Sequence, residues 1–374
     1  MAGYGSRQEP MQGVRQEIYV KALALRDESG TTAVLITADM LGFTADVSDA
    51  VYRKCSSKFG LSRDRLVFGA SHTHSGPVIG RMLWPAYPLG KREEAAIDRY
   101  TATFIDTTVD VIGRSIQDLA PASLAFEQGL AGFAVNRRRV AHREYPGPVD
   151  QDVPVLSVRT TDGRLRAVLF GYACHNTSLS DYLINGDWAG FAQHALEAAY
   201  PGATALFMTG SGGDANPLPR YGGNDPTLKH YSVELSTMYG KILAAAVDLV
   251  LHGKMKPITG PLNTIFETVD LPFHKVPTRA ELEARLEDRN PSIRRHAQFL
   301  LAKIERDGKL PDRYPYPVQV WQFGRVMKMI VLAGEVVVDY SLRLKSQYGW
   351  DDTWVAAYAN DVSAYIPSRR VLIE

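Results

Sequence analysis

The stretch that decides how this chain is organised is Gly69-Ala70-Ser71-His72-Thr73-His74-Ser75-Gly76-Pro77. It follows the apolar run Leu66-Val67-Phe68, which predicts a short buried strand, and the Gly-Pro pair ends regular structure. On extended backbone, side chains two residues apart project from one face, so His72 and His74 are predicted to share a cleft while Thr73 points away. Such a pair suits metal binding or acid–base chemistry; the alternative is two hydrogen-bonded core histidines.

Composition places the chain among globular proteins and excludes several functions. It has 374 residues, of which 45% are hydrophobic and 22% charged, which favours a full core over disorder. Lys and Arg number 42 against 41 Asp and Glu, so no electrostatic footprint for nucleic acid is present. Only Cys55 and Cys174 occur, which excludes a disulfide framework. No apolar segment approaches the roughly 20 residues of a membrane span.

The order of predicted elements indicates an α/β protein. Residues 18–25 and 32–38 are β-prone runs joined by a turn composition, and residues 44–59 carry apolar residues at four-residue spacing before Gly60, which predicts an amphipathic helix. Further helices are predicted at 94–119, 188–200, 233–252 and 337–347, between β-prone runs. No internal repeat or composition break appears, so we predict a single domain over residues 1–374, with mixed β-sheets flanked by helices.

The segment after the histidine pair, residues 78–89, is irregular yet apolar, with Met82, Trp84 and Tyr87. One interpretation is that it packs on the body of the protein. The other is that it forms the wall of an apolar substrate groove.

Several polar side chains recur where an apolar run ends. His175 follows the run 165–173, Arg137 follows 133–135, and Glu335 follows 326–332 through Ala333-Gly334. Arg137 could equally be solvated or paired with a carboxylate. The Gly-rich residues 209–217, which end in Asn216-Pro217, lack the Lys and the spacing of a P-loop, so a tight turn that brings Asn216 to a site is favoured over phosphate binding. His72, His175 and Glu335 together have the composition of a catalytic zinc site with an open fourth position.

The motifs A-S-H-T-H-S-G-P, C-H-N-T-S, G-D-x-N-P, A-G-E and N-D-x-x-x-Y-I-P-S occur in the order seen in neutral (non-lysosomal) ceramidases. The chain resembles the catalytic N-terminal domain of that family over nearly its whole length. The resemblance implies that one zinc ion per chain is bound by His72, His175, Glu335 and Tyr365, and that His74 and Arg137 line the site. A phenolate ligand needs a nearby cation, since the ordinary pKa of tyrosine is about 10.

Three departures from the family pattern accompany the resemblance. The family has serine at the position of Asn216, and an amide can bind a substrate hydroxyl but cannot act as a nucleophile. The start of the chain matches a stretch that follows an initial strand in relatives. Relatives also continue beyond Tyr365 to a further substrate-contacting tyrosine and a β-sandwich domain. The chain is therefore expected to be shortened at both ends and to lack that β-sandwich domain.

The leading functional prediction is zinc-dependent hydrolysis of the N-acyl amide of ceramide, or of a ceramide-like lipid, to a fatty acid and a sphingoid base. Zinc would make a bound water acidic near neutral pH and polarise the carbonyl. His74 would handle the proton of the leaving amine, Arg137 and Asn216 would orient polar groups, and Tyr365 would stabilise the oxyanion. Two alternatives stay open: a zinc hydrolase of another amide or ester, and a non-catalytic metal-binding or lipid-binding protein.

The predicted partner is a lipid-like small molecule with an N-acyl chain, without nucleic acid and without a transmembrane segment, and peripheral membrane contact is expected. The first ten residues contain no apolar run typical of a signal peptide. Family precedent nevertheless suggests a secreted or periplasmic protein.

Overall fold

The computed structural model describes residues 1–139, 146–218 and 233–374. Its helices are α1 (Ala45–Phe59), α2 (Lys91–Gln117), α3 (Asp187–Ala199), α4 (Val233–His252), α5 (Arg279–Ala284), α6 (Pro291–Asp307), α7 (Val338–Tyr348) and α8 (Arg369–Ile373). Its strands are β1 (Gly13–Val14), β2 (Val20–Arg26), β3 (Thr32–Ala38), β4 (Leu66–Ala70), β5 (Ala122–Leu130), β6 (Ala134–Asn136), β7 (Asp152–Thr160), β8 (Leu165–Tyr172), β9 (Leu183–Ile184), β10 (Thr204–Thr209), β11 (Ala215–Pro217), β12 (Lys256–Ile258), β13 (Leu262–Pro272), β14 (Arg313–Phe323), β15 (Met327–Leu332), β16 (Glu335–Val336), β17 (Thr353–Ala356) and β18 (Tyr365–Ile366).

Three larger sheets carry the fold, and they have strand orders β2-β3-β4, β10-β8-β7-β5-β12 and β13-β14-β15-β17. Each mixes directions: β3 and β4, β8 and β10, and β15 and β17 are parallel pairs, while the hairpins are antiparallel. The predicted α/β class with mixed sheets and flanking helices is confirmed.

The buried apolar side chains lie mainly on the faces of the three larger sheets. One face of the five-stranded sheet packs on α3 and α4 around Trp188, Phe207 and Tyr239. Its other face packs against the four-stranded sheet through Phe126, Trp321 and Trp354. The face of the β2-β3-β4 sheet that carries Ile36 and Phe68 is covered by α1 and α2. The alternating apolar residues of the long strands thus stabilise sheet-on-sheet and helix-on-sheet layers, since burying each large side chain contributes roughly 1.5–3 kcal/mol.

The parallel pairs matter most for function because their carboxyl ends meet. Isolated bridges join Gly69 to Ala359, Thr73 to Asn176, and Gly210 to Ala356, so the segments that follow β4, β8, β10 and β17 are tied together. Small two-stranded ribbons extend this edge, one of which pairs β16 with β18 in parallel. Active sites of α/β proteins gather at such edges.

Most predicted elements were placed correctly, with two exceptions of note. The sequence did not single out β12, which has only three residues, or β5, whose run contains Glu127, Gln128 and Gly129. Helix α3, predicted over residues 188–200, begins one residue earlier at Asp187, and Gly186 precedes it. Asp187 still accepts a hydrogen bond from the Trp188 N–H through its Oδ1 (2.7 Å). Cys55 and Cys174 are both free and buried.

Candidate metal centre

His72 and His74 lie after β4, and their rings are close together. The backbone conformation that brings them together differs from the predicted one. β4 ends at Ala70, and His72 has a φ of 61°, in the left-handed region. The prediction of extended backbone through the pair was therefore wrong. The turned backbone still brings the Nε2 atoms of His72 and His74 to 3.1 Å from each other. A non-glycine residue in this conformation is uncommon, and such residues concentrate at functional sites.

His175 comes to the same place from the end of β8. Its Nε2 lies 3.1 Å from Glu335 Oε2, and His72 Nε2 lies 3.3 Å from the same oxygen. His72 and His175 are each 1% exposed. The carbonyl oxygens of Leu41 (2.6 Å) and Gly212 (2.8 Å) accept hydrogen bonds from the Nδ1 atoms of His72 and His175 respectively. A carbonyl can only accept, so both Nδ1 atoms carry a proton, and a neutral imidazole with this tautomer has its lone pair on Nε2.

Glu335 and Tyr365 are brought together by the β16–β18 ribbon, in which they are directly paired residues. The Tyr365 hydroxyl lies 3.3 Å from His175 Nε2. The Arg137 guanidinium lies 5.0 Å from the centre of the Tyr365 ring, and its backbone N–H donates to Asp214 O (2.7 Å). The six residues expected to bind or line the metal therefore converge, from five separate segments of the chain.

The nitrogen and oxygen atoms of this cluster are suited to bind a cation. Two imidazole lone pairs converge on a carboxylate oxygen, and such acceptors repel one another unless a proton or a metal ion lies between them. Histidine ligands characteristically donate their other N–H to a backbone carbonyl, as both rings do here. Imidazole, carboxylate and phenol oxygen suit zinc. His72, His74 and His175 also form a group whose nitrogens all lie within 4.8 Å of one another and could hold a metal ion.

Burial and charge determine protonation around this cluster. Burial lowers the pKa of His175 to about 4. Burial raises the pKa of Glu335, but His72 and His175 outweigh it and hold the pKa well below the ordinary value. Burial, with Glu335, raises the pKa of Tyr365 to about 12 despite Arg137. Without a metal the centre therefore has a neutral His175, an ionised carboxylate and a protonated phenol.

The Gly-rich residues 209–217 wrap His175, and the structure explains their composition. A side chain at Gly212 or Gly213 would collide with Cys174 or Val336 backbone, at 2.7 Å and 2.9 Å from the added carbon. Asn216 pairs with Val135 in the β11–β6 ribbon. It is 5% exposed, and its Oδ1 has no hydrogen-bond partner in the described part of the chain. The tight-turn interpretation therefore accounts for these residues.

Part of the segment 78–89 packs on the body of the protein, and another part remains available as a groove wall. Val78, Ile79, Met82 and Tyr87 are buried, and the Gly3 N–H donates to the Tyr87 hydroxyl (2.9 Å). This part packs on the body of the protein. Leu83 is 45% exposed, and Arg81 lies over the half-buried Trp84 ring at 4.2 Å. Leu83 and Trp84, with the partly exposed Ala86 and Leu89, remain candidates for a groove wall.

Sequence reasoning missed Tyr358. This residue is buried, has a φ of 52°, and its ring lies 4.3 Å from that of His72. Its backbone bonds to Ala70 and Gly334, next to the segments that carry His72 and Glu335. Its hydroxyl has no hydrogen-bond partner among the described residues. Burial and Glu335 raise its pKa well above the ordinary value. An aromatic residue gives no sequence signal for a left-handed backbone conformation, so the sequence could not indicate that Tyr358 packs against His72.

Known proteins share this architecture. A family model for neutral/alkaline non-lysosomal ceramidase, N-terminal, matches residues 1–217. The chain is 27% identical over 224 residues to the neutral ceramidase of Mycobacterium tuberculosis (strain ATCC 25618 / H37Rv), covering 55% of this chain and 34% of that protein. It is 25% identical over 271 residues to neutral ceramidase A of Dictyostelium discoideum, covering 65% of this chain and 37% of that protein. The chain thus spans about a third of the length of these relatives.

A solved structure agrees on the fold. The crystal structure of neutral ceramidase from Pseudomonas aeruginosa superposes with a TM-score of 0.75 at 20% identity, covering 99% of this chain and 66% of that one.

Proposed function

The chain belongs to the neutral/alkaline non-lysosomal ceramidase family, whose N-terminal model covers 217 of its 374 residues, and from this we propose that it is a zinc-dependent amidohydrolase. Its proposed substrate is ceramide or a ceramide-like lipid, cleaved at the N-acyl amide to a fatty acid and a sphingoid amine. The observation that carries the proposal is the convergence of the His72 and His175 Nε2 atoms on Glu335, with both Nδ1 atoms held by carbonyls.

In this proposal His72, His175, Glu335 and Tyr365 hold one zinc ion. Bound there, zinc supplies Lewis acidity, which polarises a carbonyl and makes water nucleophilic at neutral pH. The water oxygen bonds to the acyl carbon, the carbon–nitrogen bond breaks, and the amine nitrogen takes a proton. His74 holds that proton, since its ring lies 4.8 Å from His72 at the edge of the cluster. Arg137 and the Tyr365 phenol, which in this proposal binds as the neutral group and keeps its proton, donate hydrogen bonds to the acyl oxygen as negative charge develops on it.

A second candidate, hydrolysis of a different amide or an ester, is favoured by Asn216. The side-chain Oδ1 is buried without a partner in the described part of the chain, and a buried acceptor of this kind costs about 1–3 kcal/mol unless a ligand donates to it. A substrate with an N–H or O–H directed at Asn216 would satisfy it, whereas the family's serine offers a hydroxyl that can also donate.

The test combines metal analysis with a substrate panel. We expect about one zinc per chain by plasma mass spectrometry, and chelator-sensitive, zinc-restored release of fatty acid from a fluorescent short-chain ceramide. Esters and N-acyl amino acids in the panel distinguish the second candidate. His175→Gln should abolish both zinc binding and turnover. His194→Ala is the matched control, because His194 is exposed on α3, and it should change neither. Stoichiometric zinc without hydrolysis of any panel member would instead identify a non-catalytic metal-binding protein.

We also propose that the protein is secreted or periplasmic and contacts lipid surfaces peripherally. No helix in the described ranges has the length and apolarity of a membrane span. Leu83, at 45% exposure, is the most exposed apolar side chain of the segment 78–89. Leu83→Glu should reduce sedimentation with zwitterionic vesicles without changing hydrolysis of a soluble substrate; equal sedimentation would contradict the contact.

A further inference from the structure

Arg7 is a buried guanidinium that binds three separate chain segments through backbone atoms. It is 5% exposed. Its Nη1 donates to Ala2 O (2.7 Å) and His74 O (2.5 Å), and its Nη2 donates to Asp181 O (2.8 Å). The guanidinium also lies over the ring of Tyr4 at 4.8 Å. Burying a charge is expensive unless it is well bonded, so this position needs an explanation beyond packing.

One of the three acceptors belongs to the metal centre. The residue that accepts from Nη1 is His74 itself, whose ring is 3.1 Å from His72 through the Nε2 atoms. Tyr4 packs its ring at 4.8 Å from that of His74 and donates its hydroxyl to Leu179 O (3.0 Å). A side chain at Gly3 would come within 2.5 Å of the His74 ring. Gly3 and Tyr4 therefore lie directly against His74, and Arg7 bonds both to Ala2 beside them and to His74 itself.

We propose that Arg7 is a positioning residue that fixes His74 relative to the metal centre. The planar fork of arginine can bond two differently directed carbonyls from one nitrogen pair, which the single ammonium of lysine cannot reproduce. With Arg7 in place, the His74 backbone is held both by this bond and by donation of its N–H to Asn176 O (3.2 Å). Without it, the His74 backbone loses one of these two hydrogen bonds, and we expect its ring to shift from the geometry that proton transfer requires.

This inference rests on the proposed function for its kinetic test. Arg7→Met removes all three bonds at similar length, and Arg7→Lys restores part of them. The matched control is Arg15→Lys. Arg15 bonds the side-chain carboxylate of the same Asp181, whereas Arg7 bonds its backbone carbonyl. With the zinc-loaded full chain and a short-chain N-acyl amide, Arg7→Met should lower kcat at least tenfold while KM changes less than twofold. Arg7→Lys should recover part of the rate, and Arg15→Lys should match the parent.

A double-mutant cycle separates positioning from general destabilisation. In a His74→Ala background, Arg7→Met should lower kcat less than twofold further, because the group it positions is already gone. Multiplicative losses would overturn the inference, since they would show that Arg7 acts elsewhere. Zinc content should be unchanged in Arg7→Met. Loss of zinc would also overturn the inference, because it would show that Arg7 supports the metal ligands instead of His74.

A spectroscopic measurement decides the matter without turnover. Histidine-ring nitrogen–proton correlation spectra of the metal-free protein, with the His74 signals identified by their loss in His74→Ala, should show those signals shifted in both Arg7 variants and unmoved in Arg15→Lys. Unmoved His74 signals in Arg7→Met would overturn the inference. If the parent hydrolyses no amide, the proposed function fails, and this spectrum alone decides the role of Arg7.

Discussion

Acidification of the metal-free protein should destabilise it through His175. Burial lowers the pKa of this imidazole to about 4, whereas in an unfolded chain it is about 6.5. Between these values the unfolded chain binds a proton that the folded protein excludes, so stability falls as pH falls. The difference of about 2.5, at 1.36 kcal/mol for each pH unit, amounts to about 3 kcal/mol, of which about 2 kcal/mol is lost between pH 7.5 and pH 5.

Urea unfolding of chelator-treated protein measures this loss. The free energy of unfolding at pH 7.5 and pH 5 is compared between the parent and His175→Gln, which cannot titrate at this position. Glu335 adds its own loss only below about pH 4.5, because its pKa is held under the ordinary value. All other groups are common to both proteins, so the parent should lose about 2 kcal/mol more than the variant. Equal losses, with fluorescence and circular dichroism transitions coincident in both, would refute a neutral buried His175.

Three further predictions concern the zinc-loaded protein. Tyr365→Phe should keep zinc at reduced affinity but lower kcat about 10²–10³-fold, as loss of an oxyanion donor does elsewhere; full turnover at full zinc occupancy would make the phenol structural. His72→Ala should lose zinc and activity together, whereas His74→Ala should keep zinc and lose rate; equal zinc loss, measured by mass spectrometry, would make His74 a ligand. Trp84→Ala should raise KM more for long than for short acyl chains, and equal changes in steady-state kinetics would assign Trp84 to packing.

Local patterns were sufficient to predict much of this protein. Apolar periodicity indicated α1, α2 and α4, and the turn composition between residues 25 and 32 indicated the β2–β3 hairpin. These succeed because the period of a helix or strand depends on residues only a few positions apart. The same patterns placed His72, His175 and Glu335 immediately after apolar runs. The motifs that follow those runs indicated the family, and the resemblance implied zinc and its ligands, including Tyr365.

Only the tertiary structure decided how these residues meet. The pairing of Glu335 with Tyr365 comes from a two-residue ribbon between segments 30 residues apart, which no local period encodes. The left-handed backbone at His72 and Tyr358, and the carbonyls of Leu41 and Gly212 that fix the imidazole tautomers, depend on contacts between distant segments. The role of Arg7 also depends on the tertiary structure. Its hydrogen-bond acceptors are backbone carbonyls, which every residue has, so no complementary side chain in the sequence indicates its partners. The sequence by itself therefore determined which chemical groups the centre contains, and long-range packing determined their protonation, orientation and support.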